Sequence, residues 1–250
     1  MLFLHGFLGS SKDWQETALR LGGRFRTIAV DLPGHGASLG LPRECYTLEG
    51  AAREVLGLLD GLGVGRCMLC GYSMGGRLAL YLALRHPGRF SALFLESATP
   101  GLEDPAEREA RRRADEERAR ELERGDLEGF LQRWYRQPLF ASLSRREGLI
   151  GGLVRSRLRN DPEELARALR GMGTGRQVSL WRALPALGMP ALAVAGELDR
   201  KFAALAREME RLAPPLRAVV VPGAGHNVRL EQPGAYARLL CGFLEEGGLE

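Results

Sequence analysis

The stretch CGYSMGGRLALYLALRHP, from Cys70 to Pro87, sets Ser73 between two glycines at the point where an apolar run gives way to a helix-forming one. The pattern G-Y-S-M-G from Gly71 to Gly75 fits G-x-S-x-G, in which a serine stands on a sharp strand-to-helix turn. Such a turn leaves no space for side chains beside the serine, which accounts for the flanking glycines. It also lifts the hydroxyl out of a sheet and brings the free N–H groups of a helix start close to it.

Working outward from Ser73, short apolar runs recur at Leu2 to Leu4, Thr27 to Val30, Cys67 to Cys70, Ala92 to Leu95, Ala191 to Ala195 and Ala218 to Val221. Each is followed by Gly, Pro or Asp, and helix-length segments lie between them. Apolar runs of this kind read as strands buried on both faces. Their alternation with helices predicts an α/β fold with a mostly parallel central sheet flanked by helices. The rhythm breaks from about Glu103 to Leu184, which shows helical patterns and no strand. Residues 103–184 are therefore expected to form an inserted helical cap on a core made of 1–102 and 185–250. Its first part, rich in Arg and Glu, offers the i,i+4 pairs Glu107/Arg111, Glu109/Arg113 and Glu116/Arg120. The glycines of GMGTGR at 171–176 follow a helical stretch and not a strand, which speaks against a dinucleotide loop.

A serine hydroxyl needs a neighbour to take its proton. Of the four histidines, His226 follows the last strand-like run on a glycine-rich loop and is the candidate. His5 precedes Gly6 at the end of the first strand, His35 lies in DLPGHG, and His86 stands at a helix exit. The acid that orients His226 is expected at Asp199, after the fifth strand, with Glu197 its nearest rival. Asp31 is expected to hold the DLPGHG loop. The order Ser73, Asp199, His226 is the one this type of fold uses. The sequence H-G-F at His5 to Phe7 places the backbone N–H of Phe7 near the serine, and with that of Met74 it would form an oxyanion hole.

The chain's 250 residues, 45% hydrophobic, suffice for one well-packed domain. Its formal charge of +4 comes from 35 basic residues, of which only Lys12 and Lys201 are lysines. Because acids are interleaved with these arginines along the cap, nucleic-acid binding is not expected. No secretory leader is visible and no apolar run approaches about 18 residues, so a cytoplasmic protein without membrane insertion is expected. Cys67 and Cys70 fall on opposite faces of one strand and read as buried thiols, not as a metal or redox pair.

Taken together, the elbow, the H-G-F turn and the order of the three residues resemble the α/β-hydrolase fold superfamily. Members usually carry one or two strands ahead of the H-G-x strand, so a shortened N-terminal sheet edge is expected. The stretches LESATPGL with its trailing ER..R, WYRQPLFASL, GELDRKF and AGHN...EQP are similar to those of 2-succinyl-6-hydroxy-2,4-cyclohexadiene-1-carboxylate synthases of menaquinone biosynthesis. The resemblance implies elimination of pyruvate from 2-succinyl-5-enolpyruvyl-6-hydroxy-3-cyclohexene-1-carboxylate, with no metal or organic cofactor and Ser73 as base. It implies that Arg77, Arg111 and Arg155 meet this tricarboxylate substrate, and that Tyr72, Trp134 and Phe140 line the pocket. The alternative on the same triad is a serine esterase or C–C bond hydrolase acting through an acyl-enzyme. Oligomeric state is not legible; a monomer is the default expectation.

Overall fold

The computed structural model describes residues 1–246. All six expected strands form: β1 (Leu2–Leu4), β2 (Ile28–Val30), β3 (Cys67–Tyr72), β4 (Phe90–Glu96), β5 (Ala191–Gly196) and β6 (Leu216–Val221). They lie in one sheet in the order β2-β1-β3-β4-β5-β6, every pair parallel. The strands are apolar on both sides because both faces are covered. Leu2, Leu4, Leu69, Leu93, Leu95 and Ala193 pack on one face. The alternate residues Phe3, Met68, Cys70, Phe94, Leu192 and Val194 pack on the other.

The first face is covered by α2 (Leu48–Gly61), α3 (Met74–Arg85) and, from beyond the insertion, a helix at Arg200–Leu212. The second is covered by the C-terminal helix at Pro233–Glu246 and by Trp14, which leads into α1 (Gln15–Arg20). Between β4 and β5 lie α4 (Pro105–Glu123), α5 (Leu127–Tyr135), α6 (Leu149–Arg157) and α7 (Pro162–Met172), with no strand among them. The helix after β5 is accordingly α8, and Val228–Glu231 and Pro233–Glu246 are α9 and α10.

These four helices build a core of their own from residues such as Leu122, Phe130, Leu131, Leu153 and Leu165. Leu8, from the loop after β1, is buried in that same cluster. The ends of the insertion are tied together: Leu180 N–H donates to the Pro100 carbonyl (2.8 Å), and the Trp181 indole N–H to that of Gly101 (3.0 Å). A bidentate ion pair joins the cap to the core, with Arg157 of α6 donating twice to Asp13, both at 2.6 Å.

On α4 the pairs Glu109/Arg113 (3.1 Å) and Glu116/Arg120 (2.9 Å) form as the spacing suggests. Arg111 does not pair with Glu107. Its Nε donates instead to Asp115, one turn on, at 2.8 Å. Cys67 and Cys70 are unbridged, half-buried and buried, on opposite faces of β3.

Chain order along the sheet reverses beside β1, whose neighbours are β2 on one side and β3 on the other. In an open parallel sheet, ligands bind in the crevice outside the C-terminal strand ends at such a point. The loops that leave β1 and β3 there carry Gly6, Phe7 and Ser73.

Candidate active site

Ser73 links β3 to α3 with φ 50° and ψ −107°, a conformation a side chain rarely adopts. Strain of this kind is of the order of 1–3 kcal/mol, held in place by the surrounding structure. Here the hold is visible: Ser73 N–H donates to the Glu96 carbonyl at 2.8 Å. A Cβ on Gly75 would come within 2.2 Å of the Leu4 carbonyl oxygen, and one on Gly71 within 2.5 Å of that of Gly75. Only glycines let α3 start this close to β1.

The imidazole of His226 reaches both partners. Its Nε2 lies 3.2 Å from Ser73 Oγ, and its Nδ1 lies 2.6 Å from Asp199 Oδ2. Asp199 stands at the start of α8, where its other oxygen accepts the Phe202 N–H (3.3 Å). Glu197 is not part of this relay; it accepts the Gly223 N–H at 3.0 Å and so ties the acid's loop to the histidine's. Phe202, Tyr72 and Phe140 surround the imidazole, with ring centroids at 4.7, 5.6 and 5.8 Å. A hydroxyl, an imidazole and a buried carboxyl in sequence can move a proton away from Ser73 and return it.

The H-G-F turn is held by His5 and His35, two of the three histidines that the relay does not use. Leu32 N–H donates to His5 Nε2 (3.0 Å), and His5 Nδ1 lies 2.8 Å from the Gly6 carbonyl. Leu8 N–H donates to His35 Nε2 (3.2 Å), and His35 Nδ1 lies 3.1 Å from the Pro33 carbonyl. Each ring accepts at Nε2, so each is neutral. Burial keeps it so, lowering the pKa of His5 and taking that of His35 down to about 3. Asp31 accepts the N–H groups of Ser11 (2.6 Å) and Ala37 (2.9 Å), the loop role expected of it.

A cavity of about 200 Å³ lies over Ser73 between cap and core. Ser73, His226, Phe7, Met74, Tyr72, Arg77, Arg111, Trp134 and Phe140 all line it. Asp199 sits behind His226. One expected residue is not brought in: Arg155 is exposed on α6 and does not line the cavity. The buried arginine of that helix is Arg157, which turns to Asp13, on the other side of the helix from Arg155.

Among the described residues four cations border the cavity, Arg77, Arg111, Arg118 and Lys201, and no carboxylate lines it. Arg77 is buried, its Nη1 donating to Gln177 Oε1 (2.9 Å) and its Nη2 to the Met172 carbonyl (2.7 Å). Burial, reinforced by the positive charge of Arg111, lowers its pKa to about 10. Arg118 lies over the Trp134 ring at 5.7 Å and is 3.3 Å from Asp115, which it shares with Arg111. Arg118 and Lys201 were not singled out from the sequence. The signals were there: Arg118 follows Arg111 by two helical turns, and Lys201 follows the acid by two residues.

Behind Tyr72 a buried ionic cluster supports the site. The Arg229 guanidinium is sandwiched between the rings of Tyr72 (4.5 Å) and Trp14 (4.6 Å), with Glu96 and Asp13 within 4 Å. Burial outweighs Arg229 at Glu96 and pushes its carboxyl up to about 7.

A strained serine at a strand–helix elbow, relayed to a histidine and an acid on an all-parallel sheet, defines an α/β hydrolase. The chain belongs to the α/β hydrolase fold family, which it matches over residues 1–233. It is 36% identical over 251 residues to the 2-succinyl-6-hydroxy-2,4-cyclohexadiene-1-carboxylate synthase of Serratia proteamaculans, covering 99% of this chain and 94% of the relative. The structure of MenH from S. aureus superposes with a TM-score of 0.94 at 33% identity, covering 99% of this chain and 93% of that one. A thermophilic esterase from Thermogutta terrifontis, solved with malate bound, gives 0.84 at 29% identity, covering 98% and 89%.

Proposed function

We propose that this protein is a carbon–oxygen lyase of menaquinone biosynthesis. It eliminates pyruvate from 2-succinyl-5-enolpyruvyl-6-hydroxy-3-cyclohexene-1-carboxylate to give 2-succinyl-6-hydroxy-2,4-cyclohexadiene-1-carboxylate. The observation that carries the reading is the cavity wall, which among the described residues has four cations and no carboxylate around a serine relay. Such a wall suits a small substrate with several carboxylates, which an apolar pocket would leave uncompensated. The relatives named for this reaction point the same way.

In this reading Ser73 is the base. Its oxygen takes the proton from the ring carbon that bears the succinyl ketone while its own proton passes to His226, and Asp199 stabilises the imidazolium. Negative charge moves onto the ketone oxygen, where the N–H groups of Phe7 and Met74, two residues that line the cavity, would stabilise an enolate. The electron pair then forms the new ring double bond, the existing alkene shifts by one position, and the C–O bond to the enolpyruvyl group breaks. The released enolate gains a proton and leaves as pyruvate. Arg77 supplies the innermost cation, with Arg111, Arg118 and Lys201 nearer the mouth. Arg155 has no place in this assignment. The reaction uses no metal or organic cofactor in this scheme.

A second reading, an esterase or C–C bond hydrolase, draws on the same relay and on the likeness to the Thermogutta esterase. Pyruvate release, followed by its reduction with lactate dehydrogenase and NADH, separates the two. The lyase releases one pyruvate per substrate and Ser73→Ala loses the activity. A Ser73→Ala variant that keeps full rate, or burst release of alcohol from activated esters without pyruvate formation, overturns the lyase reading.

A further inference from the structure

We infer that Glu231 is a positioning residue for His226. The inference rests on the Ser73–His226–Asp199 relay of the reading above and not on the identity of the leaving group. His226 lies in the loop 222–227, whose run Pro-Gly-Ala-Gly ahead of it places glycines at 223 and 225, and glycine has more backbone freedom to lose than any other residue. An imidazole on such a loop needs something to fix its aim. Glu231, at the end of α9, folds back over the loop. Its Oε2 accepts the Gly225 N–H at 2.9 Å, and its Oε1 accepts the Asn227 N–H at 3.2 Å. One carboxyl group thus brackets the histidine from both sides in the chain.

The bracket is closed on itself. Glu231 N–H donates to the Asn227 carbonyl at 2.9 Å, and the Asn227 side chain accepts the Leu230 N–H at 3.3 Å. Its side chain is buried, 8% exposed for the residue, so water offers those two N–H groups little competition. Other ties on this loop act earlier in the chain: Leu198 N–H to the Ala224 carbonyl (2.9 Å) and Gly223 N–H to Glu197 (3.0 Å). Gly225 makes room for the arrangement, since a Cβ there would lie 3.1 Å from Glu231 Oε1 and 1.9 Å from Ser142 Oγ of the cap. The contact being protected is the 3.2 Å one between His226 Nε2 and Ser73 Oγ, which a displacement of about 1 Å would take out of hydrogen-bond range.

The test uses the full-length protein and its variants Glu231→Gln and Glu231→Ala. The probe is an alkyl fluorophosphonate, which forms a phosphorus–oxygen bond to Ser73 as fluoride leaves and so reads the serine relay without the elimination substrate. Gln keeps one acceptor oxygen and Ala keeps none. The inactivation rate constant per folded molecule is expected to fall about tenfold in Glu231→Gln and about a hundredfold in Glu231→Ala. The strongly downfield NMR signal of the proton between His226 and Asp199 should weaken in the same order. If both quantities stay at the wild-type value while only the unfolding midpoint drops, Glu231 is structural and the inference is lost. Should Glu231→Ala not fold, Glu231→Gln alone decides between these outcomes. A wild-type protein inert to the probe also overturns the inference, because His226 is then not activating Ser73. A wild-type protein that reacts with the probe but releases no pyruvate refutes the lyase reading and leaves the comparison of variants standing.

Discussion

Arg77 is buried in the cavity wall, its guanidinium hydrogen-bonded to Gln177 and the Met172 carbonyl and, among the described residues, to no carboxylate, with Asp115 acting on it only through its charge. Burial, reinforced by the positive charge of Arg111, lowers its pKa to about 10, so keeping the charge there costs folding free energy. An incoming carboxylate relieves that cost. Replacing Arg77 with Met should therefore raise KM for the enolpyruvyl substrate about ten- to a hundredfold, the weight of one charged hydrogen bond or pair. kcat should change less, and steady-state pyruvate release reads both. The unfolding midpoint should move by only a few degrees, because relief of the buried charge offsets the loss of two hydrogen bonds. Ser73 was legible because it stands in one local motif, a strand–turn–helix that fixes Gly71 to Gly75 whatever surrounds it, whereas Arg77, in the first turn of the helix that follows, was expected from the family resemblance. Arg155 was misread for a tertiary reason. The run RSRLR offers arginines at 155, 157 and 159, and residues two apart on a helix point to nearly opposite sides. Which one turns inward depends on Asp13, more than a hundred residues away.

Helix α4 and the β1 and β2 loops show what an element adds to single residues. On α4, Arg111, Asp115 and Arg118 share one face, so that a single carboxylate holds two guanidinium groups beside the cavity. Arg118→Gln should raise KM about three- to tenfold and leave kcat near its original value, since the group is half-exposed and screened. At the loops, His5 and His35 bond the turn that carries Phe7, and both must be neutral to accept as they do. The consequence for pH has a definite sign. Between the unfolded value of 6.5 and the folded value of about 3, His35 gains a proton on unfolding and holds none when folded. Stability from this source is therefore intact above about pH 6.5 and declines as pH falls, by about 1.4 kcal/mol per unit. His35→Gln, whose amide can accept from Leu8 and donate to Pro33, should flatten that decline in acid-unfolding curves followed by circular dichroism. An equally steep curve for the variant assigns the acid sensitivity elsewhere. The sequence placed His35 in a loop motif but gave no sign of this use, because its partner Leu8 lies on a different strand's loop.

At the scale of the whole molecule, the sheet was legible from six apolar runs because a strand covered on both faces must be apolar throughout. The helices inserted between β4 and β5 were legible as helical patterns that break that rhythm. How they dock was not, since the docking rests on long-range pairs: Arg157 with Asp13, Tyr46 with Glu164, and Leu8 inside the cap's cluster. Docking turns a scattered excess of arginine into a field, because the cap carries Arg111 and Arg118 and the core carries Arg77 and Lys201 to one opening. Positive potential focused in a cleft raises the arrival rate of an anion and is weakened by salt. Screening lengths shrink from about 10 Å at 0.1 M to about 3 Å at 1 M, so the outer cations lose their reach while buried Arg77 keeps its contact. kcat/KM for the tricarboxylate should therefore fall several-fold or more between 0.05 and 0.5 M salt, chiefly through KM, with kcat almost flat. The double variant Arg118→Gln/Lys201→Gln should start lower at 0.05 M and show a shallower dependence, converging toward the wild type at high salt. Initial rates of pyruvate release across a potassium chloride series check this. Parallel salt slopes for the two proteins would mean that these outer cations do not steer the substrate.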